Sequence, residues 1–352
     1  MNKLKICIIA ANNIRFSPYI YLYKKILDKN MIDYDLIYPD RHNFGNEWKS
    51  NFIKESWKPT LPTAINYYLF IRKVKKEIIR KKYDKIIILT SQIAVYLSSW
   101  IKTRYKGKYL VDIRDYSHEN NKFYYYLEKE ALFNAGCRVI SSNKFKAFLP
   151  KLDYYVCHNY NGDDQIDETP WRIRTSPVII GYVGTLGYEN KVIKLIDLIK
   201  NDDRFCFYVY GGDEKENPEI PKAILEANCD RIKFFGPYLP KEKQEIIKGI
   251  DILFNVYGNE SMLLLCALSN KLYDCMISHR LILNSKGTYM EEMAGICGFS
   301  IDLETDNPLE ELYNWFLTLD EKAVLNYQKE MIKLFVEENK RTESSIEHFI
   351  KE

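Results

Sequence analysis

Residues 178–199 read VIIGYVGTLGYENKVIKLIDLI, and this stretch decides the fold. Val178–Val183 is an apolar run of the length of a buried strand. Gly184-Thr185-Leu186-Gly187 turns the chain, and apolar residues then recur at helical spacing at Val192, Leu195, Ile196 and Ile199. Strand, glycine loop and helix in that order make one unit of a parallel α/β sheet. Glycines in such a loop let the backbone approach a ligand closely, and the amides at the helix start favour a phosphate. Lys191, just inside the helix, adds a charge. Many α/β proteins use the same loop for turn geometry alone, so the loop by itself names no ligand.

The same alternation extends in both directions. Towards the C-terminus the pattern predicts strands at Phe205–Tyr210, Ile232–Phe235, Ile252–Asn255, Leu281–Asn284 and Phe299–Ile301. Helices fit at 190–201, 218–227, 240–249, 266–278 and 288–296, and Leu309–Phe316 and Glu321–Ile350 are helical in pattern. Towards the N-terminus the strands are Lys5–Ala10, Tyr34–Tyr38, Lys85–Leu89, Tyr109–Ile113, Arg138–Ser141 and Tyr154–Cys157. Helices there are Pro18–Lys29, with Ser17 as N-cap and Pro18 at the first position, and Ile65–Lys82. Asn159–Pro177, rich in Asp, Asn, Thr and Pro, breaks the rhythm as a linker would. The expected fold is α/β: two Rossmann-like doubly wound domains facing a central cleft. The first spans 1–160, the linker 161–177 and the second 178–334, with the last helix, about 335–352, placed to pack back on the first.

The net charge of +3 hides an asymmetry. Residues 1–160 carry 29 Lys and Arg against 14 Asp and Glu, and the remainder 22 against 34. A basic half beside an acidic one points to an anionic partner for the first, such as a membrane surface or a lipid pyrophosphate. The stretch 66–82 concentrates this charge: Arg72, Lys73, Lys75, Lys76, Arg80, Lys81 and Lys82 surround an apolar stripe of Phe70, Ile71, Val74, Ile78 and Ile79. A helix of that kind can rest on anionic lipid, or simply pack with a solvated basic face. No recognition helix, zinc finger or aromatic RNA-binding signature supports a nucleic-acid partner.

The eight cysteines form no Cys-x-x-Cys pair, so neither a zinc site nor a disulfide framework is expected, and a reducing, cytoplasmic setting fits. The apolar run Ile6–Ala11 is too short for a signal-peptide core, and nothing reaches the roughly 18 apolar residues of a membrane span. Membrane association is therefore expected to be peripheral, on the inner face of the cell membrane. Asp33-Tyr34-Asp35 spells a metal-binding Asp-x-Asp but begins a strand, and no metal site is expected.

Ligands of open parallel sheets bind at the carboxyl ends of strands, so the loops there carry the chemistry. After the glycine loop come Gly211-Gly212-Asp213, then RIKFFGPYLPKEKQEIIKGIDILFNVY at 231–257 and ALSNKLYDCMISHRLILNSKGTYMEEMAG at 267–295. In these passages the chain resembles the bacterial GT-B glycosyltransferases of the large retaining family that builds capsular, exopolysaccharide and O-antigen repeats. The resemblance covers the C-terminal half well and the first half more loosely. It implies that Gly184, Thr185 and Gly187 lie under the pyrophosphate of a UDP- or GDP-linked sugar. It further implies that Asn270, Lys271 and Asp274 contact that donor, with Gly287 and Thr288 nearby. Lys271 and Lys191 suit a diphosphate leaving group and Asp274 suits two ribose hydroxyls, whereas a surface Lys271–Asp274 pair is the plainer reading. Thr288 also reads as a helix N-cap, with Glu291 at the capping-box position. Many relatives carry two glutamates eight apart here, but Cys266 stands eight before Asp274.

In the first half, the loop after Tyr109–Ile113 reads Arg114-Asp115-Tyr116-Ser117-His118-Glu119. Many relatives have a His-Asp pair where Arg114-Asp115 falls. Asp115 is the candidate for activating or orienting an acceptor hydroxyl, Arg114 for a phosphate contact or for holding Asp115, and His118 for reaching the same cleft. Asn13 and Arg15, in the loop after the first strand, are acceptor-side candidates, and that loop lacks the glycines of a dinucleotide fingerprint. The function implied is transfer of a hexose or N-acetylhexosamine from a nucleotide sugar to a lipid-linked oligosaccharide, with retention and without metal or other cofactor. A sugar-nucleotide epimerase of the same architecture, or a non-catalytic partner subunit of a transferase, are the alternatives.

Overall fold

The computed structural model describes residues 4–13, 17, 19–40, 52–56, 58, 60–160 and 176–352. The chain divides into two compact units, Met1–Asn159 with Glu337–Glu352, and Tyr160–Val336. In the first, chain order is β1 (Lys5–Ala10), α1 (Ile20–Lys29), β2 (Asp33–Asp40), β3 (Phe52–Ser56), α2 (Thr63–Lys81), β4 (Lys85–Leu89), α3 (Ser91–Arg104), β5 (Tyr109–Ile113), α4 (Lys122–Phe133), β6 (Cys137–Ile140) and β7 (Tyr155–Val156). The sheet runs β3-β2-β1-β4-β5-β6-β7, all parallel. Its central strands are buried on both faces, as in KIIIL of β4, which is why they read as continuous apolar runs.

The second unit continues with β8 (Val178–Val183), α5 (Glu189–Ile199), β9 (Phe205–Tyr210), α6 (Glu219–Ala227), β10 (Ile232–Gly236), α7 (Lys243–Lys248), β11 (Ile252–Asn255), α8 (Met262–Cys266), α9 (Asn270–Ile277), β12 (Leu281–Ser285), α10 (Tyr289–Ala294), β13 (Gly298–Ile301), α11 (Pro308–Leu317) and α12 (Glu321–Lys351). Its sheet order is β10-β9-β8-β11-β12-β13, again parallel. Both sheets reverse winding direction once, between β1 and β4 and between β8 and β11. Those two points are where a doubly wound sheet opens a crevice for ligand.

Several expectations are corrected here. Strand β3 and helices α3 and α4 are additional to the elements expected from sequence. Ser17 is not a side-chain cap: α1 starts at Ile20 behind Tyr19, and it is the Ser17 carbonyl that accepts from the Ile20 amide, at 3.0 Å. Pro18 and Arg15 lie outside the described residues, as does most of the expected linker. The predicted helix 266–278 is two, because Ala267 leaves the helical region and Ser269 restarts it, accepting from the Lys271 amide. Ile79 is not part of the buried stripe of α2 but faces outward. From Glu337 onward α12 groups with the first unit, where Ile346, Phe349 and Ile350 join its core.

Candidate functional site

In the second unit, the carboxyl ends of β8, β11 and β12 and the start of α9 converge on one lysine. All residues of α9 from Lys271 to Ile277 are buried, so the helix carries Lys271 and Asp274 inside with it. Lys271 is only 6 % exposed. Its Nζ donates to the Tyr257 hydroxyl, lies 4.4 Å from the centre of the Tyr182 ring and 5.1 Å from that of Tyr257. Burial pulls the ammonium below the usual lysine value, while Tyr182 and Asp274 oppose the shift. Among the described residues, no carboxylate pairs with Lys271 within 4.0 Å.

The glycine loop borders this ammonium. A Cβ on Gly184, whose φ of +133° suits glycine, would sit 3.8 Å from Lys271 Nζ. Tyr182 braces the loop by donating to the Thr185 carbonyl at 2.8 Å, and its hydroxyl accepts from the Gly187 amide at 3.2 Å. That amide is therefore already engaged. The amides of Lys191 and Val192 bond to the Tyr188 carbonyl, leaving those of Glu189 and Asn190 at the helix start without a helical acceptor. Tyr188 is half-exposed and stacks on Tyr257 at 4.7 Å. Lys191 reaches Glu260 at 3.7 Å, at the rim.

Asp274 and Lys271 are not an ion pair. Asp274 pairs with Lys243 at 2.6 Å, a residue from α7 that sequence reading did not single out. Burial raises the Asp274 carboxyl above the usual range, and Lys243 acts against that rise. Asn270 is exposed at the start of α9. Around β12, Ser285 Oγ accepts from the amides of Tyr257 and Gly258 at 3.0 and 2.8 Å and so ties two strand ends together. Thr288 does cap α10, accepting from the Glu291 amide, but the Glu291 carboxylate reaches the Gly287 amide at 2.6 Å. The Gly287 amide is thereby occupied within the protein.

In the first unit, Asn13 is buried after β1, and Thr90 after β4 holds a φ of 103°, a strained value for a residue with a Cβ. The sequence-predicted group separates here. Arg114 turns inward: it donates to Asp112 at 2.7 Å, the Cys157 carbonyl at 3.0 Å and Asn159 at 3.1 Å, and lies over the Tyr19 ring. Tyr23 completes the set by donating to Asp112 at 2.7 Å. Asp115 and His118 point outward, with His118 edge-on to Tyr124. Desolvation raises the Asp115 carboxyl, the Arg114 charge opposing.

Beneath that loop is a pair of carboxyls that sequence reading missed. Glu128 on α4 is fully buried against Glu119, whose carboxylate accepts from the Ser117 amide at 2.6 Å. Burial, then the neighbouring Glu119, push Glu128 up to about 9, so at neutral pH it holds a proton. Ser91 and Tyr124 hydrogen-bond to each other at 2.8 Å beside them. The signal was present in the sequence: Tyr124, Glu128, Ala131 and Leu132 fall on one stripe of α4, a carboxylate among core positions. Asp35 of the Asp-x-Asp accepts from Lys81 at 2.9 Å and from Tyr83 inside the sheet edge. Among the described residues no cluster of three His, Cys, Asp or Glu is arranged to hold a metal ion.

No protein-family model matches the sequence, and no curated protein matches it. Solved structures do. The apo form of the lipopolysaccharide outer core galactosyltransferase WaaB superposes with a TM-score of 0.68 at 13% identity over 99% of both chains. Sucrose-phosphate synthase from Thermosynechococcus elongatus gives 0.68 at 13% identity over 95% of both. HepE from Anabaena, in complex with UDP-glucose, gives 0.66 at 14% identity over 97% of this chain and 99% of that one. The fold is GT-B. A GT-B chain is built from two doubly wound units, and here the winding reverses once in each. At such low identity the likeness carries the architecture, and the side chains above are this chain's own.

Proposed function

We propose that the chain is a glycosyltransferase that takes a UDP- or GDP-linked hexose or N-acetylhexosamine on its second unit and passes the sugar to a lipid-linked oligosaccharide. The reaction is retaining, metal-independent and belongs to cell-surface polysaccharide synthesis on the cytoplasmic face of the membrane. One observation supports the donor assignment above the others: a buried lysine without a carboxylate partner among the described residues, Lys271, lies beside the open Gly184 at the reversal point of the second sheet. A diphosphate supplies the missing negative charge. The galactosyltransferase WaaB and the UDP and UDP-glucose complexes of HepE, which share the fold, support the same reading.

In this reading Lys271 and Lys191 stabilise the nucleoside diphosphate as the sugar–phosphate C–O bond breaks and the electron pair leaves with the phosphate. Gly184, Thr185 and Gly187 give the pyrophosphate room, Asn270 and Asp274 lie towards the ribose, and Gly287 and Thr288 shape the adjoining wall. The acceptor hydroxyl forms the new bond to the anomeric carbon, with Asp115 taking or orienting its proton. His118 and Asn13 serve the acceptor side in this reading, with Arg15, which lies outside the described residues, as a further candidate, and Arg114 holds the loop that carries Asp115. The basic stretch 66–82 meets the anionic membrane. Among the described residues no helix is long and apolar enough to cross a membrane.

Isothermal calorimetry with UDP, GDP and their sugars tests the donor assignment: binding of one of them is expected, and binding of none refutes it. An epimerase shares the architecture, and Arg114 and Cys266 in place of the usual histidine and glutamate keep a non-catalytic subunit as the other competing reading. Isomerised sugar from donor alone would establish the first. Transfer by the purified chain to a lipid-linked acceptor would exclude the second.

A further inference from the structure

The first unit carries a second chemical surface away from its strand ends. Helices α2 and α4 each bury one stripe and α3 buries most of its circumference, which leaves an outer stripe on each. On α2 the outer stripe is Tyr68, Arg72, Lys75, Lys76 and Ile79; on α3 it is Tyr96, Trp100 and Arg104; on α4 it is Phe123, Tyr126, Lys129 and Phe133. A helix solvated on its outer face needs no large rings there. Yet Phe123 is 71 % exposed, Tyr126 57 %, Tyr68 56 % and Phe133 54 %.

Cations are interleaved with these rings. Arg72 lies 5.9 Å from the Tyr68 ring, Lys129 5.7 Å from Phe133, and Lys75 and Arg104 lie 6.0 and 5.6 Å from Trp100. The nearby acids are spoken for: Glu77 pairs with Arg80, Glu130 with Lys102, and Asp84 accepts the Lys5 amide. At the end of α2 and α3 a groove of about 350 Å³ is lined by Ile79, Trp100, Lys82, Arg104 and Lys108 among others. Rings that bridge apolar and wet surroundings, next to long basic side chains, match the headgroup region of an anionic bilayer. A second copy of the same face would meet it with like charge.

We propose that the outer face of α2, α3 and α4 docks the chain on an anionic bilayer, the rings of α3 and α4 entering the headgroup layer and the α2 cations binding lipid phosphates. This extends the membrane contact proposed for 66–82 from one helix to a three-helix face, and rests on that reading only for its biological purpose. Co-sedimentation of the full chain with vesicles tests it, comparing phosphatidylcholine alone with phosphatidylcholine containing phosphatidylglycerol. Binding is expected only to the anionic vesicles. Lys75→Gln with Lys76→Gln should weaken it by roughly fivefold per lysine, and Phe123→Ser with Tyr126→Ser should weaken it at unchanged charge. Equal binding to both vesicle types, wild-type binding by the ring variant, or a dimer in solution that this variant dissociates would overturn the proposal. Circular dichroism and nucleotide calorimetry on the same preparations separate this from the donor assignment. Lost vesicle binding with intact fold and nucleotide binding concerns this face alone, and lost nucleotide binding with intact vesicle binding concerns only the other.

Discussion

Replacing Glu128 by glutamine should make the protein more stable at alkaline pH and leave it unchanged in acid. Glu128 is fully buried, and its carboxyl rises from the ordinary 4.5 to about 9. The folded state therefore holds a proton there that the unfolded state has released across the whole of that window. Where the folded state binds more protons, stability falls as pH rises, by up to about 1.4 kcal/mol per pH unit. The stability is fully present below about pH 4.5 and has been lost once pH passes about 9. Between pH 6 and pH 8 the wild type should lose on the order of 2–3 kcal/mol from this group, or roughly 5–10 °C in the melting temperature of a unit this size. Glutamine has the same shape and stays neutral. Calorimetric melting of both proteins from pH 5 to pH 8.5 gives the comparison, and the titrating groups other than the neighbouring Glu119 cancel in the difference. The gap should open steadily in favour of Glu128→Gln as pH rises. Melting curves that stay parallel across the range, or a variant weaker at every pH, would refute a proton held on Glu128.

Lys271→Met should weaken nucleotide binding by about ten- to a hundredfold, the range for a lost charged hydrogen bond, while its melting temperature holds or rises because a costly buried charge is gone; a loss of stability with unchanged affinity would make Lys271 structural. Gly211→Ala should lower both the melting temperature and the nucleotide affinity, because the added Cβ would meet the Gly184 carbonyl oxygen at 1.9 Å and displace the loop; a wild-type melting curve would show that the loop yields freely. Lys243→Met should raise the Asp274 carboxyl further, since the lysine acts to lower it, and shift the acid limb of nucleotide binding to higher pH; an unmoved limb would show that Asp274 takes no part in binding.

The central strands of both sheets were legible because a strand buried on both faces is a continuous apolar run, and those runs end within a residue or two of the observed boundaries. Strand β3, FIKES, has no such run and sits at the sheet edge. Helix α3 packs on several sides, through Ile93, Ala94, Val95, Leu97, Ser98 and Ile101, which blurs the single stripe by which a surface helix is recognised. Helix α4 hides its pattern among three consecutive tyrosines that point to different faces. Local pattern did place Lys271 on a helix and Thr288 at a helix N-cap, since both features lie within single turns. The fate of Arg114 depends on Cys157 and Asn159, more than forty residues away, and no local pattern carries that information. The engagement of the Gly287 amide by Glu291 is local, yet the capping box predicts contact with Thr288 instead.

Two of the buried cations show why the donor assignment rests on Lys271 and not on Arg114, although the sequence offers both as phosphate contacts. A charge taken out of water is costly unless the protein surrounds it with partners. Arg114 has them: a buried carboxylate, a main-chain carbonyl and an amide oxygen. A ligand phosphate would have to displace interactions that already compensate its charge. Lys271 has a tyrosine hydroxyl and two ring faces, which offset only part of the loss, and its lowered affinity for a proton expresses the remainder. Asp274, the nearest carboxylate along the helix, is turned to Lys243. Lys271 thus holds a buried positive charge that is incompletely compensated, at the reversal point of the sheet and beside a glycine that leaves it approachable. An anionic ligand completes that arrangement at the lowest cost, and the same ligand would gain little at Arg114.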